Sequence, residues 1–277
     1  MRVDNGGVSI HYEVSGEGPP VLLLHGFPDR GRLWRHQVPA LVEAGFSAVV
    51  PDQRGYGASD KPAEVAAYNV LHAVTDAQAV LADAGIERAH VVGHDWGAAV
   101  AWVLAALSPE KVDHLVALSV GHPSTFRADY EQLQKSWYML LFQFEGVAER
   151  WLSDDGWSRF KEWGGHPDAD AVIADLEADG SLTPGLNWYR ATITPQSYVE
   201  PPIQLPAIQS STMGVWSSGD FALTEGQMTR SGQHVVGGWR YERIEGPGHW
   251  MQLEAPGEVN RLLLDFLPRA IAQAPSG

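Results

Sequence analysis

Over roughly the first 120 residues, hydrophobic and polar positions switch between two periods. "VSIHYEV" (8–14) alternates every second residue, which predicts a half-buried strand, and "PVLLLHG" (20–26) is a short apolar run closed by glycine, the form of a fully buried strand. Helical spacing follows over 33–44, then the strand-like "FSAVVP" (46–51), then helical spacing from 66 to 84 ahead of Gly85. "AHVVG" (89–93) predicts a strand, 98–107 a helix stopped by Ser108-Pro109, and "VDHLVALSV" (112–120) a further strand. Strands alternating with helices, several of them apolar on both faces, predict a parallel sheet covered on both sides.

The rhythm changes after "GHPS" (121–124). As far as Val199 the chain is rich in aromatic and acidic residues at helical spacing, with no strand pattern, and the proline cluster "EPPIQLP" (200–206) ends it. Strand patterns return in "STMGVWSSGD" (211–220) and "GWRYERIEG" (238–246), and "EVNRLLLDFL" (258–267) predicts a closing helix. The organisation expected is an α/β core in two parts, 1–121 and 206–277, interrupted by a helical cap over 122–205. No internal repeat or low-complexity tract interrupts it.

Composition narrows the partners. The 277 residues are 44% hydrophobic and 19% charged, ordinary for a globular protein, and the formal charge of −15 repels nucleic acid and anionic membranes alike. There is no cysteine, hence no disulfide, thiol nucleophile or thiolate metal site. The longest apolar run, Ala98 to Leu107, is far short of the roughly 20 residues that span a bilayer. The start, "MRVDNGGVSIHYEV", lacks the charged-then-apolar form of a signal peptide. A soluble, cytoplasmic protein is expected. The eleven histidines include no H-E-x-x-H and no other zinc spacing, and "RGYGASD" lacks the Gly-Lys-Ser/Thr ending of a phosphate loop. "HPDADAVIADLEAD" (166–179) has calcium-like acidic spacing but carries Ile173 where the loop needs glycine, so a solvated helix face is expected there. Neither a cofactor nor a metal is inferred.

The candidate chemistry centres on "VVGHDWG" (91–97), which runs into the apolar "AAVAWVLAAL". This is the layout of a nucleophile elbow, in which a sharp strand-to-helix turn lifts the central residue into the open. Gly93 and Gly97, two residues either side, meet its steric requirement, but the central residue is Asp95 rather than serine. Serine attacking saturated carbon would leave an ether that water cannot cleave, whereas a carboxylate leaves an alkyl ester that it can. The substitution therefore selects a substrate with a leaving group on sp³ carbon, an epoxide oxygen or a halide. A base and an orienting acid should follow in the order nucleophile, acid, histidine. Asp220 in "VWSSGDFALTE" and His249 in "EGPGHWMQLE" fit, each in a loop after a strand, and "LVALSV" is followed by no competing carboxylate. "HGFPD" (25–29) follows the strand 20–24 with His25, Gly26 and Pro28 around Phe27, and the backbone N–H groups of Phe27 and Trp96 are the candidates for an oxyanion hole. A cis bond before Pro28 would suit a tight turn there.

"HGFPD", "DQRGYGASDKP", "VVGHDWG", "SSGD" and "GPGHWMQLEAP" resemble the α/β-hydrolase-fold soluble epoxide hydrolases over nearly the whole chain. The resemblance extends to "WYMLLFQFEGVAE" (137–149) and "GLNWYR" (185–190), and it implies that Tyr138 and Tyr189 are phenols that hold and protonate the epoxide oxygen. One departure is Ala98, where relatives often have a second glycine. The reaction implied is conversion of an epoxide and water to a vicinal diol through an Asp95 ester. Haloalkane and haloacid dehalogenases share the Asp-His-Asp set, but usually carry a halide-binding donor or acid after His-Gly, where this chain has Phe27, and a catalytically silent binding protein on the same fold is the third reading. Five of the eleven tryptophans lie between 137 and 188, which suggests a bulky apolar or aromatic substrate if they line the site and an aromatic cap core if they do not. Oligomeric state is open, with a homodimer among the arrangements allowed.

Overall fold

The computed structural model describes residues 1–126, 129–201 and 203–271, so Pro202 of the proline cluster lies outside the described residues. Its elements in chain order are β1 (Arg2–Asn5), β2 (Val8–Ser15), β3 (Pro20–Leu24), α1 (Gln37–Glu43), β4 (Ser47–Pro51), α2 (Val70–Asp83), β5 (Ala89–His94), α3 (Trp96–Leu107) and β6 (Val112–Leu118). Then come α4 (Tyr130–Lys135), α5 (Trp137–Leu141), α6 (Val147–Gly164), α7 (Ala169–Asp179) and α8 (Leu182–Thr192). The chain closes with β7 (Ser211–Ser217), α9 (Glu225–Arg230), β8 (Trp239–Ile244), α10 (Met251–Glu254) and α11 (Pro256–Phe266). The strands form one sheet in the order β1-β2-β4-β3-β5-β6-β7-β8. It is parallel from β4 to β8, and β1 and β2 pair antiparallel at its edge.

Period-two alternation divides the core between the two faces. Leu22, Leu24 and Val91 pack with Val74 and Leu81 of α2 and Trp102 of α3, while Val21, Leu23 and Val92 pack with Leu41 of α1 and Leu262 of α11. Every residue of β5 is buried, which is why "AHVVGH" shows no alternation of exposed polar and buried apolar positions. β1 was not expected, because "RVDN" offers one apolar residue to a periodicity. The helix expected over 66–84 begins only at Val70: Asn69 is extended and its side chain accepts the Leu71 N–H, an N-cap that cuts the preceding turn, Val65–Tyr68, away from α2. The stretch 33–44 is likewise split between a 3₁₀ turn, Gly31–Trp34, and α1.

Between β6 and β7 the described residues form no strand, only helices, as the aromatic-acidic spacing predicts. α6 is broken where Asp155, Gly156 and Trp157 take positive φ. The acidic stretch 166–179 is mostly α7, and its Asp168 and Asp175 pair with Arg35 and with Arg30 and Arg32. Among the described residues no helix is long and apolar enough to cross a membrane.

One buried clamp fixes α8 on the sheet. Arg54, in the loop after β4, donates from Nε to Asp76 Oδ2 at 2.6 Å and from Nη2 to Oδ1 at 2.7 Å, and Asn5 Nδ2 adds a third bond to Oδ1. Both partners are buried. The Arg54 carbonyl, held in this way, accepts the Trp188 indole N–H of α8 at 3.1 Å. Removing one member of a buried bidentate pair strands the other's charge, at a cost of about 3–5 kcal/mol. Asp76→Ala is therefore expected to lose about that much stability in denaturant unfolding. A loss under about 1 kcal/mol, the worth of an exposed pair, would show that the clamp is solvated.

Candidate active site

The turn at Asp95 is made by the close approach of three backbones. Asp95 has φ 53° and ψ −122°, a conformation that costs a non-glycine residue strain and persists only where its surroundings enforce it. A Cβ on Gly93 would come 2.3 Å from the Gly97 carbonyl oxygen, and one on Gly97 would come 2.0 Å from that of Leu24. Both glycines are thus required by contact. Gly26 belongs to the same cradle, where a Cβ would meet Asp95 Oδ1 at 2.3 Å and the Trp96 nitrogen at 2.7 Å. The Phe27 amide donates to Asp95 Oδ1 at 2.8 Å, and the Phe27-Pro28 peptide is cis. The Trp96 amide opens α3, where backbone N–H groups have no partner within the helix. His25 braces the loop from beneath: its Nδ1–H donates to the Gly26 carbonyl and its Nε2 accepts the Gln53 amide.

Asp220 and His249 come to the same place from the far end of the sheet. Asp220 lies three residues past the end of β7, and its Oδ1 accepts the amides of Ala222 and Leu223, both at 2.9 Å. Its Oδ2 is 3.0 Å from His249 Nδ1, and His249 Nε2 lies 3.6 Å from Asp95 Oδ2. The imidazole therefore stands between two carboxylates. Burial disfavours its charged form, but Asp220 and then Asp95 outweigh that and lift its pKa from 6.5 to about 10. Burial likewise works against the Asp220 carboxylate, yet His249, Ser119 and the backbone amides hold its pKa below the usual value.

Tyr138, on α5, and Tyr189, on α8, are both buried, with ring centroids 6.1 Å apart. Tyr189 packs edge-on to Trp96 and to Phe27. Burial, and after it the negative charge of Asp95, pushes both phenols well above their ordinary pKa, so both are neutral hydroxyls at any physiological pH. A cavity of about 500 Å³ opens beside them, lined by Asp95, Trp96 and Tyr189 and by apolar residues that include Val103, Met139 and Leu205. None of the five tryptophans between 137 and 188 lines it. Trp137, Trp151 and Trp163 pack on one another and on Tyr138, Trp157 donates to Glu177, and Trp188 donates to Arg54, so they build the helical segment itself.

Three further residues had no role in the reading of the sequence. Ser119, directly after β6, takes φ 72°, and its hydroxyl donates to Asp220 Oδ2 at 2.7 Å while lying 2.9 Å from His249 Nδ1. It occupies the strand end at which no carboxylate was found, and a lone serine in "ALSVG" carries no sign of that geometry. Asp29, quoted in "HGFPD" without a function, accepts the Trp250 indole at 2.9 Å and faces His166 Nε2 at 3.2 Å, joining the Phe27 loop to the neighbour of His249. Burial and the positive charge of His249 lower His94 to a pKa of about 4; its neutral ring donates from Nε2 to the His249 carbonyl at 2.9 Å.

Comparison with known proteins gives the fold and the family. Residues 19–256 match the α/β hydrolase fold family. The chain is 32% identical to epoxide hydrolase A of Mycobacterium tuberculosis over 96% of both chains, and 32% identical to an epoxide hydrolase of Caballeronia sordidicola over 94% of this chain and 91% of the other. Among solved structures, an epoxide hydrolase from Bacillus megaterium superposes with a TM-score of 0.87 at 28% identity, over 96% of this chain and 99% of that one. Epoxide hydrolase A from Mycobacterium thermoresistibile superposes with a TM-score of 0.81 at 31% identity, covering 99% and 98%. The protein is an α/β hydrolase by fold. Within that fold, it belongs to the epoxide hydrolase family.

The charge balance at His249 yields a prediction. A folded-state pKa above that of free imidazole means that the charged ring's stabilising contribution is complete below pH 6.5 and is lost as pH rises through about 10. Asp95→Asn removes one of the two carboxylates, so the His249 imidazole, followed by NMR, should titrate at distinctly lower pH than in the parent protein. An unchanged titration would mean that Asp95 does not help to hold the proton.

Proposed function

We propose that the protein hydrolyses epoxides to vicinal diols through an ester on Asp95, with residues 122–205 acting as the cap over the site. The observation that carries this reading is the buried line Asp95–His249–Asp220 with Tyr189 beside it on the same cavity. Asp95 Oδ2 attacks a ring carbon while Oδ1 stays on the Phe27 amide. Tyr138 and Tyr189 hold the epoxide oxygen, and one of them donates its proton as the C–O bond breaks. Alkylation removes the negative charge of Asp95, and with it part of what keeps the imidazolium protonated. His249 can then return a proton to the phenolate and become the neutral base that the second step needs. Water, deprotonated by His249, attacks the ester carbonyl. The developing oxyanion meets the N–H groups of Phe27 and Trp96, and its collapse releases the diol and restores the Asp95 carboxylate.

The cavity supports a neutral, apolar epoxide. Among the described residues that line it, Asp95 and Glu200 are the charged ones, and the remainder are mostly apolar. A mutant of the Bacillus megaterium enzyme was solved with (R)-3-[1]naphthyloxy-propane-1,2-diol, its product, a bulky aromatic diol. The dehalogenase reading has less support, since the residue after His25-Gly26 presents the apolar ring of Phe27, packed on Phe142 and Tyr189, rather than a halide donor.

Two experiments test the proposal. His249→Gln mixed with a terminal aryl epoxide should accumulate enzyme-plus-substrate mass without releasing diol, and Asp95→Asn should show neither adduct nor turnover. Diol formed by His249→Gln at the parent rate would require a different base. General-acid assistance is typically worth about 10²–10⁴-fold. Because two phenols share one oxygen, Tyr138→Phe or Tyr189→Phe alone should lose part of the alkylation rate and the double variant nearly all of it. A folded double variant opening epoxides at the parent rate, or releasing chloride from chloroalkanes, would move the protein out of this reading.

A further inference from the structure

At the opposite end of β5 from Asp95 stands a second cluster of titratable groups that the proposed reaction does not use. His90, Asp113 and His114 each present one ligand atom, and the three atoms lie within 4.8 Å of one another. His90 Nδ1 is 3.4 Å and His114 Nδ1 is 2.9 Å from the same oxygen, Asp113 Oδ2. The cluster is assembled by a fault in the sheet. β5 and β6 pair Ala89 with Val112 but Val91 with Leu115, so two residues, Asp113 and His114, stand opposite the single residue His90. In a regular strand, consecutive side chains point to opposite faces. A bulge of this kind re-aims one of them, and bulges occur preferentially where a side chain must be redirected to a site.

The hydrogen bonds at His90 do not close without a cation. Its Nε2 is 3.0 Å from the Pro268 carbonyl, its Nδ1 faces the Asp113 carboxylate, and the ring is fully buried. A neutral imidazole has one N–H, so either tautomer aims a lone pair at an acceptor. With the proton on Nε2, donating to Pro268 at the shorter distance, Nδ1 is left as a buried acceptor with no hydrogen-bond partner. Double protonation would satisfy both sides only by placing a full charge on a ring that is completely buried. A neutral imidazole with its far N–H on a backbone carbonyl is the orientation in which histidine ligates metal ions.

We propose that His90 Nδ1, Asp113 Oδ2 and His114 Nδ1 form a binding site for a divalent transition-metal ion of the zinc class, structural in role and separate from the reacting centre. Tetrahedral zinc with N and O ligands at about 2.0–2.1 Å sets neighbouring ligand atoms about 3.3 Å apart, close to the 3.4 Å seen between His90 and Asp113. Ligation through His114 Nδ1 requires the tautomer with its proton on Nε2, so the proton now between Nδ1 and Asp113 moves to the ring's other nitrogen. Arg88 Nε lies 3.5 Å from the other oxygen, Oδ1, while both imidazoles face Oδ2. The His114 side chain is about one-fifth exposed, which gives water access to the fourth position. Phe46 and Phe266 wall the two rings. His90 and Asp95 are five positions apart, about 16 Å at the usual strand rise. A metal here would clip β5 to β6 and, through Pro268, to the chain after α11.

The test uses the full chain, freed of metal by a chelator and titrated calorimetrically with zinc chloride. One ion per chain should bind saturably, and the melting temperature should rise with zinc concentration. His114→Gln, at a partly exposed position, should weaken binding by at least about 100-fold, more than the loss of an outer-shell partner produces. His249→Gln should bind zinc as the parent does, which separates this site from the Asp95 pocket. In the parent protein, the Nδ1 resonances of His90 and His114 should move with zinc, a readout that needs no variant. Absence of saturable zinc binding by the parent, or a folded His114→Gln with parent affinity, would overturn the proposal.

Discussion

The backbone at Asp95 is the constraint on which the candidate site depends. A non-glycine residue at φ 53° and ψ −122° is held there because β5, the start of α3 and the end of β3 are packed closer than any Cβ on Gly93 or Gly97 would allow. That approach sets the carboxylate on the Phe27 amide and points its other oxygen at His249. The buried sheet supplies the rigidity. β5 has neighbours on both sides and no exposed residue, so the strain at its end cannot relax by moving the strand.

The second organising fact is the arithmetic of buried charge. Asp95 and Asp220 stand on either side of one imidazole, and an unpaired carboxylate at such depth would be costly. Proton affinity therefore concentrates on His249, and neighbours that could compete are kept neutral: His94 by burial and by His249 itself, the two phenols by burial and by Asp95. Ser119 belongs to the same account. Its hydroxyl donates to the Asp220 oxygen that also faces His249 Nδ1, so the carboxylate is oriented from two directions before any substrate is present.

Much of this was legible in the sequence, for identifiable reasons. β3, β5 and β6 each carry a short apolar run, and the residues of the Asp95 turn are contiguous, so both fold class and candidate nucleophile can be read locally. Asp220 and His249, which the structure brings into line with Asp95, are legible as candidates because each sits in a loop following a strand pattern. What escaped notice depends on conformation or on pairing. Ser119 matters through a positive φ that "ALSVG" does not announce. The tryptophans of 137–188 could not be divided between pocket and packing by spacing, and the structure places them in packing. His90 and the pair Asp113–His114 lie more than twenty residues apart in the chain, and only a bulge in the β5–β6 ladder turns them toward one another. No linear spacing of residues carries a sign of that pairing.

The two phenols and the carboxylate come from separate parts of the chain, and the way those parts are tied explains how they can be set at fixed separation. The Trp188 indole, one residue before Tyr189, is anchored on the Arg54 carbonyl. Lys135, three residues before Tyr138, donates to the Asp220 carbonyl at 2.9 Å. His166, between α6 and α7, faces Asp29, which also holds Trp250 beside His249. The Trp188 and Lys135 ties lie within three residues of a phenol, and the Lys135 tie ends on Asp220 itself. A shift of α4 and α5 would therefore move Tyr138 and strain Asp220 together. Such coupling makes the docked arrangement a single alternative rather than a range of partial ones, as expected of packed interiors, which resist gradual deformation.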